Sequence, residues 1–251
     1  MRILIVSDLH ANWPALAAVR EECDVCLCLG DLVEYGCEPA PCLDWVRRHA
    51  THTVRGNHDH CAAQDVAVFG GLGFKYLTGA TRPVNRARLS PADRRFLADL
   101  PVTRVVRLDH RRILLVHATP RDPLDEIAQP DPAYWATRLE GVDADVVCVG
   151  HTHQQFAFNV NGTLVINPGS VGLPRDGDPR AAYAVLEGDR VEFRRVEYPV
   201  EEAVRSVETS PLPERAKAML AHVYRTGRLS LAAKLNGHVA ENGQPAAGVA
   251  P

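Results

Sequence analysis

Residues 2–10 read Arg2-Ile3-Leu4-Ile5-Val6-Ser7-Asp8-Leu9-His10. A short run of branched apolar residues makes a buried strand, and the chain leaves it through an aspartate and a histidine. The same pattern recurs four times. Val25–Leu29 runs into Gly30-Asp31, and Thr51–Val54 into Arg55-Gly56-Asn57-His58-Asp59. Ile113–Val116 runs into His117, and Val146–Val149 into Gly150-His151-Thr152-His153. In open α/β sheets, side chains from separate strands converge at the carboxyl ends of the strands. One aspartate after a strand is ordinarily a turn or cap, and one histidine is ordinarily a satisfied core residue. Five strands that all end in Asp, Asn or His are different, because turn chemistry has no bias toward metal-ligand types. The mixed nitrogen and oxygen set suits Zn, Mn, Fe or Ni rather than Ca or a thiolate site.

Outward from these strands the order is strand, helix, strand, helix, strand, the pattern of βαβ units with a largely parallel sheet. The helices are predicted at Trp13–Glu22, behind Asn12 with Pro14 in the first turn, and at Pro41–His49. From Val146 on, strands at Phe156–Val160, Leu164–Ile166, Ala182–Leu186 and Val191–Val196 follow closely. Turn sequences Asn161-Gly162 and Glu187-Gly188-Asp189 predict antiparallel hairpins there. The fold class is α/β shading to α+β, with two packed sheets flanked by helices. Residues 61–100 read as a helical insertion over one end of the sheets, helical from Ser90 to Leu100, where Ser90-Pro91 and Asp93 mark an N-terminus. Residues 200–225 predict terminal helices separated by Pro211 and Pro213. One domain over 1–225 is expected, followed by a tail over 226–251 whose Gly, Pro, Ala and Asn content from Asn236 to Pro251 predicts mobility.

Composition narrows the function. The chain has 251 residues, 46% hydrophobic and 24% charged, which is globular rather than disordered composition. Basic residues number 28 and acidic ones 31, a net charge of −3, so nothing draws the whole chain to nucleic acid or anionic membrane. With Trp 3, Tyr 6 and Phe 6, no extended base-stacking platform is expected. The seven cysteines are odd in number and no secretory leader is evident, which favours a reducing, cytoplasmic setting. Cys23 and Cys26 have CxxC spacing, but Cys26-Leu27-Cys28-Leu29 alternates as one buried strand would, and no second CxxC completes a zinc site. No apolar run is long enough to span a membrane.

Asp8-Leu9-His10, Gly30-Asp31, Gly56-Asn57-His58-Asp59, His117 and Gly150-His151-Thr152-His153, in this order, resemble the motifs of the calcineurin-like metallophosphoesterases. Gly30–Gly36, Pro120–Pro123 and Asn167–Arg175 are similar to segments of the small single-domain bacterial and archaeal members, with Ala118 where that branch often has Gly. The resemblance covers residues 1 to about 225. It implies a β-sandwich of two mixed sheets flanked by helices. It further implies two divalent transition-metal ions (Mn foremost; Fe, Zn, Ni or Co also suitable). Asp8, His10 and His153 would hold one, Asn57, His117 and His151 the other, and Asp31 would bridge them. Two such ions share a hydroxide that attacks phosphorus in line, and their charge outweighs that of the two aspartates and the hydroxide, which attracts phosphate. His58 would stay unliganded beside the substrate and assist, with Asp59 as its orienting partner.

The implied activity is hydrolysis of small phosphoesters, foremost phosphodiesters. The alternatives on the same core are a phosphomonoesterase or protein phosphatase, and a non-catalytic scaffold like the retromer subunit of this fold. The scaffold reading is disfavoured because His58 and every ligand position are filled. Three residues carry two readings each. Asn12 is a helix cap or a substrate contact; Arg55 and Arg175 are phosphate clamps or solvated surface. The Asn167–Arg175 loop either offers backbone N–H groups to phosphate or completes the rim. No membrane and no clear nucleic-acid surface are expected, and a homo-oligomer stays open.

Overall fold

Along β1 (Arg2–Val6), Ile3 and Ile5 face one way and Leu4 and Val6 the other, and all four are buried. A strand apolar on both faces must sit between two layers. The computed structural model describes residues 1–68 and 70–229 and supplies both. β1 pairs in parallel with β2 (Val25–Cys28), which pairs in parallel with β3 (His52–Thr53). A second sheet holds β4 (Thr103–Leu108), β5 (Arg111–Val116), β6 (Val146–Cys148), β7 (Gln155–Val160) and β8 (Thr163–Pro168), in the order β4-β5-β6-β8-β7. β9 (Ala181–Glu187) and β10 (Arg190–Val196) return to the first sheet, giving β10-β9-β1-β2-β3. Both sheets are mixed: in the second, parallel β5, β6 and β8 lie between antiparallel β4 and β7, and in the first, parallel β1, β2 and β3 run to one edge with the antiparallel pair β9 and β10 on the other side.

Ile3, Ile5, Leu27 and Leu29 meet Ile113, Leu115, Val146 and Ile166 to form the core between the sheets. The outer face of the first sheet, including Leu4, Val6, Cys26 and Cys28, packs against α1 (Trp13–Ala18), α2 (Pro39–His49), α7 (Val200–Glu208) and α8 (Glu214–Thr226). α6 (Pro132–Arg138) covers the second sheet through Trp135 against Val147 and Val165. Cys26 and Cys28 thus lie on one buried face of β2, and all seven cysteines are free thiols. Among the described residues no helix is long and apolar enough to cross a membrane.

The two hairpins form with two-residue loops: Val160 pairs with Thr163 around Asn161-Gly162, and Glu187 with Arg190 around Gly188-Asp189. α1 ends at Ala18, short of Glu22, because Val19 turns extended and residues 20–24 lead into β2. Residues 57–99 form three helices, α3 (Asn57–Gln64), α4 (Gly73–Arg88) and α5 (Pro91–Asp99). Ser90 caps α5 through a reciprocal box with Asp93. α4, β4 and α6 lie outside the sequence expectations. In α4 the breakers Gly73, Gly79 and Pro83 mask the helix; Gly79 stands four residues before Pro83, where a proline ring crowds the carbonyl. α8 ends at Thr226, with Gly227 left-handed at φ 62° as its cap. The expected tail beyond residue 229 lies outside the described residues.

Candidate metal centre

Five of the six parallel strands, β1, β2, β3, β5 and β6, deliver the ligand-type residues at their carboxyl ends to one edge of the sandwich. There the two sheets nearly touch: a Cβ on Gly150, which follows β6, would collide with Ser7 Oγ, which follows β1. Gly30, at φ +94°, lies so close to Gly56 that neither position has room for a side chain. This close approach brings residues far apart in sequence within ligand distance of one another.

Two groups result. Asp8, His10 and His153 offer atoms that all lie within 4.8 Å of one another, and so do Asp31, His117 and His151. In the first group, Asp8 Oδ1 is 3.2 Å from His153 Nε2 and 3.8 Å from His10 Nε2. Asp31 Oδ2 stands between the groups, 3.8 Å from His10 Nε2 and 3.2 Å from His117 Nε2. Its other oxygen accepts the His58 backbone N–H at 2.9 Å, in the first turn of α3.

The donor set fits divalent cations on its own chemistry. His10, His117 and His153 each direct Nδ1 to a backbone carbonyl, of Val33 (3.1 Å), Leu29 (2.8 Å) and Leu173 (2.5 Å). A carbonyl only accepts, so Nδ1 carries the proton and a neutral ring leaves Nε2 as a bare lone pair. Two of these, on His10 and His153, face each other at 3.2 Å. Asp8 Oδ1, His117 Nε2 and Asn57 Oδ1 are buried without a hydrogen-bond partner. Buried polar atoms are costly when unpartnered. A cation in each group would relieve that cost for Asp8 and His117.

The protonation balance agrees. Burial pushes Asp8 and Asp31 up, but His153 beside the first and His117 beside the second outweigh it and hold both below the usual carboxylate range. Burial pushes His10 well below the ordinary histidine value, lowers His153, and takes His151 down to about 4. Burial also opposes charge on His117, but Asp31 overrides it and raises His117 to about 9. A proton on His117 therefore occupies the gap to Asp31 that a metal ion would compete for.

Backbone strain marks the same place. Asp8, His10, Asp31, His151 and His153 all have positive φ, between 46° and 65°. Left-handed backbone costs roughly 1–2 kcal/mol per non-glycine residue. Such strain persists where the surroundings over-determine it, as at ligand clamps.

One expected role, that of Asp59, needs correction, and the two readings of Asn12 and of Arg55 can be compared with their contacts. Asp59 does not orient His58. Its oxygens accept from Leu32 N (2.7 Å) and Gly56 N (3.1 Å), so it caps α3 and ties it to the turn after β2. The partner of the His58 ring is Glu34, whose Oε2 lies 2.5 Å from Nδ1. Glu34 is fully buried and, at φ 70°, left-handed. Burial opposes charge on His58, but Tyr35, Asp31 and Glu34 override it and raise its pKa well above the ordinary value. Asn12 is buried, accepts from Ala15 N and donates to the Gly172 carbonyl, so it caps α1, the first of its two readings. Arg55 turns from the site, with Nη1 on the Ala98 carbonyl at 3.0 Å.

The loop from Asn167 to Arg175 completes the rim. Its N–H groups at Gly169, Val171, Gly172 and Leu173 are taken by Asn167 Oδ1, the Ser7 and Asp8 carbonyls and Ser170 Oγ, leaving none of these for phosphate. Arg175 alone among the three tentative contacts faces the site. Its guanidinium lies 3.8 Å from the Phe74 ring centroid and 5.6 Å from that of Tyr35, which is 4.9 Å from the His58 ring. Glu34, Tyr35 and Phe74 were missed by sequence reasoning. The only available signal was that Glu34 and Tyr35 lie within Gly30–Gly36, three and four residues past Asp31.

Comparison with known proteins places the chain. The chain is 29% identical over 237 residues to an uncharacterized protein of Methanocaldococcus jannaschii, covering 84% of this chain and 94% of that one. A 58-residue stretch is 50% identical to a probable metallophosphoesterase of Bacillus subtilis, covering 23% of this chain and 34% of that one. The crystal structure of a metallophosphoesterase from Sphaerobacter thermophilus is 32% identical, with a TM-score of 0.75 over 90% of this chain and 99% of that one. A hypothetical protein from Pyrococcus horikoshii shares the fold, at 21% identity and a TM-score of 0.78, over 87% of this chain and 97% of the other. The family model for the calcineurin-like phosphoesterase superfamily domain matches residues 1–190, and the chain belongs to that superfamily of metal-dependent phosphoesterases.

Proposed function

We propose that the protein hydrolyses small phosphoesters, with phosphodiesters preferred, at two divalent transition-metal ions. Asp8, His10 and His153 would hold one, Asn57, His117 and His151 the other, and Asp31 would touch both. The observation that carries this reading is the single oxygen Asp31 Oδ2 facing the Nε2 of a histidine in each group. Bound there, the ions supply Lewis acidity toward water and toward the phosphoryl oxygen.

The chain's own residues supply the rest. Glu34 holds His58 by Nδ1, so the proton on Nε2 faces the centre, 3.9 Å from Asp31 Oδ2. From there it can pass to the leaving oxygen as the bond to phosphorus breaks, yielding the alcohol. Arg175, seated on Phe74, brings a fixed positive charge to the rim. That single guanidinium favours diesters, since Arg55 points away and Arg82 is bound to Glu34. A diester carries one negative charge at phosphorus, whereas a monoester carries about −1.5 to −2 at neutral pH.

The test is turnover of bis-p-nitrophenyl phosphate against p-nitrophenyl phosphate by the Mn-loaded protein. Faster turnover of the diester is expected. Faster turnover of the monoester would replace the diesterase reading with a phosphatase one, and no turnover of either would remove both.

A further inference from the structure

α4 inverts the usual arrangement of a helix on a protein core. Thr78, Thr81, Arg82 and Asn85 recur at i, i+3, i+4 and i+7, so they share one face, and all four are buried. An inward face is ordinarily apolar. Here the polar stripe is aimed at residues 34–36. Asn85 Oδ1 accepts from Glu34 N (3.0 Å) and its Nδ2 donates to the Gly36 carbonyl (2.8 Å). Thr81 Oγ1 accepts from Tyr35 N at 3.1 Å, and Thr78 Oγ1 donates to the Tyr35 hydroxyl at 3.0 Å. Glu34 and Tyr35 are the left-handed pair of this turn, at φ 70° and 57°. The stripe supplies the hydrogen bonds that hold them in that conformation.

Arg82 completes the arrangement. Its Nε donates to Glu34 Oε1 and its Nη2 to Oε2 at 3.2 Å, while Oε2 also meets His58 Nδ1. A two-point guanidinium fork fixes the plane of a carboxylate as well as its position. The third nitrogen, Nη1, donates to the Val66 carbonyl at 2.6 Å and so anchors the fork to the loop after α3. Rotating Glu34 away from His58 would break contacts at both of its oxygens.

We infer that Arg82 is a positioning residue for His58, acting through Glu34, and that α4 is for this reason part of the hydrolytic apparatus rather than a cover over it. This rests on His58 assisting hydrolysis, as set out above. A purely structural role would lower stability and affect all substrates alike. A positioning role makes the loss depend on how much the leaving group needs a proton.

The experiment compares Arg82→Gln, Arg82→Lys, His58→Ala and the His58→Ala/Arg82→Gln double variant, in the metal-loaded protein. The substrates are bis-p-nitrophenyl phosphate and diphenyl phosphate, whose leaving group is the poorer one. Arg82→Gln is expected to lower kcat on diphenyl phosphate on the order of 10²-fold, the effect of a misplaced reacting group. The loss on the nitrophenyl ester should be smaller, KM should change less than about twofold, and metal content should stay at the wild-type value. In the His58→Ala background the same change should add almost nothing. Arg82→Lys keeps the charge without the fork and should show an intermediate loss; it serves as the test if Arg82→Gln fails to fold. Equal losses on both esters, or losses that multiply with His58→Ala, would overturn the role of Arg82 and leave that of His58 standing. Wild-type turnover of diphenyl phosphate by His58→Ala would remove both.

Discussion

The two ligand groups are built from similar residues but differ in enclosure. Asp8, His10 and His153 are sealed, with at most 2% of any of them exposed. They are braced by Ser170 Oγ on the Asp8 carbonyl, by Gly172 packed against Leu9, and by Asp8 Oδ2 on His151 N. The second group keeps Asp31 and His117 buried, but His151 is only half-buried, as is Asn57, its proposed fourth ligand. The difference assigns direction to the site. On the proposed two-ion reading, the sealed group would anchor one ion in the scaffold, and the open group would give the second its contact with solvent and substrate. Asp31 Oδ2 faces a histidine of each group and would touch both ions.

The largest expected effect therefore follows from Asp31→Ala. Metal analysis by mass spectrometry should find both ions lost or weakened, by more than the roughly 10–100-fold typical of removing an outer hydrogen-bond partner. His151→Ala should release one ion and leave the other. Chelator titration of the wild-type protein should show two phases, the open group emptying first. Loss of both ions in one phase, or an Asp31→Ala protein that keeps one ion tightly, would break the comparison.

Next in size is the contrast between the two acids near His58. Glu34→Gln should lower kcat, more for poor leaving groups, because its Oε2 holds the His58 ring. Asp59→Asn should instead cost stability of about 1–3 kcal/mol, since its carboxylate satisfies two buried backbone N–H groups. Thermal melts and leaving-group series on the two variants separate these outcomes; a leaving-group dependence in Asp59→Asn would restore the sequence-based assignment.

What the sequence disclosed and what it withheld follow the same physical line. Strand ends were legible because the buried runs stop where the ligand residues start, and both signals lie within ten residues. β4 was not, because Thr103–Leu108 is an edge strand whose arginines and half-exposed valines read as surface. α4 was not, because its inward polar stripe is indistinguishable in sequence from a solvated face and it holds three helix breakers. Asp59 was assigned to His58 because it is adjacent in the chain. In the structure it turns back to cap α3, and the contact comes from Glu34, 24 residues away. Adjacency predicts what shares a turn; it does not predict what meets across two left-handed residues.

The rim gives a smaller, sharper test on the open side. Arg175→Ala should raise KM, on the order of tenfold, for every phosphoester the protein accepts, because a charge-assisted contact of about 1.5–3 kcal/mol is lost. Arg55→Ala should leave KM within about twofold, since its guanidinium is bound to the Ala98 carbonyl. The reverse ranking would place Arg55 on the substrate and reassign the rim.

The smallest effect belongs to the sealed side. Asn12 joins the start of α1 to the loop behind Asp8 through Ala15 N at 3.3 Å and the Gly172 carbonyl at 2.8 Å. Replacing an N-cap asparagine by alanine costs about 0.5–2 kcal/mol. Here the loss also leaves the buried Gly172 carbonyl without the Asn12 donor, so the upper half of that range is expected by chemical denaturation. KM should not change, because Asn12 faces the scaffold and is 2% exposed. The sealed ion should nevertheless dissociate faster, since Gly172 N–H donates to the Asp8 carbonyl and links the cap to a ligand. An Asn12→Ala protein with altered KM and unaltered stability would instead make it a substrate contact. One that is destabilised with unchanged metal release would show that the sealed group does not depend on this brace.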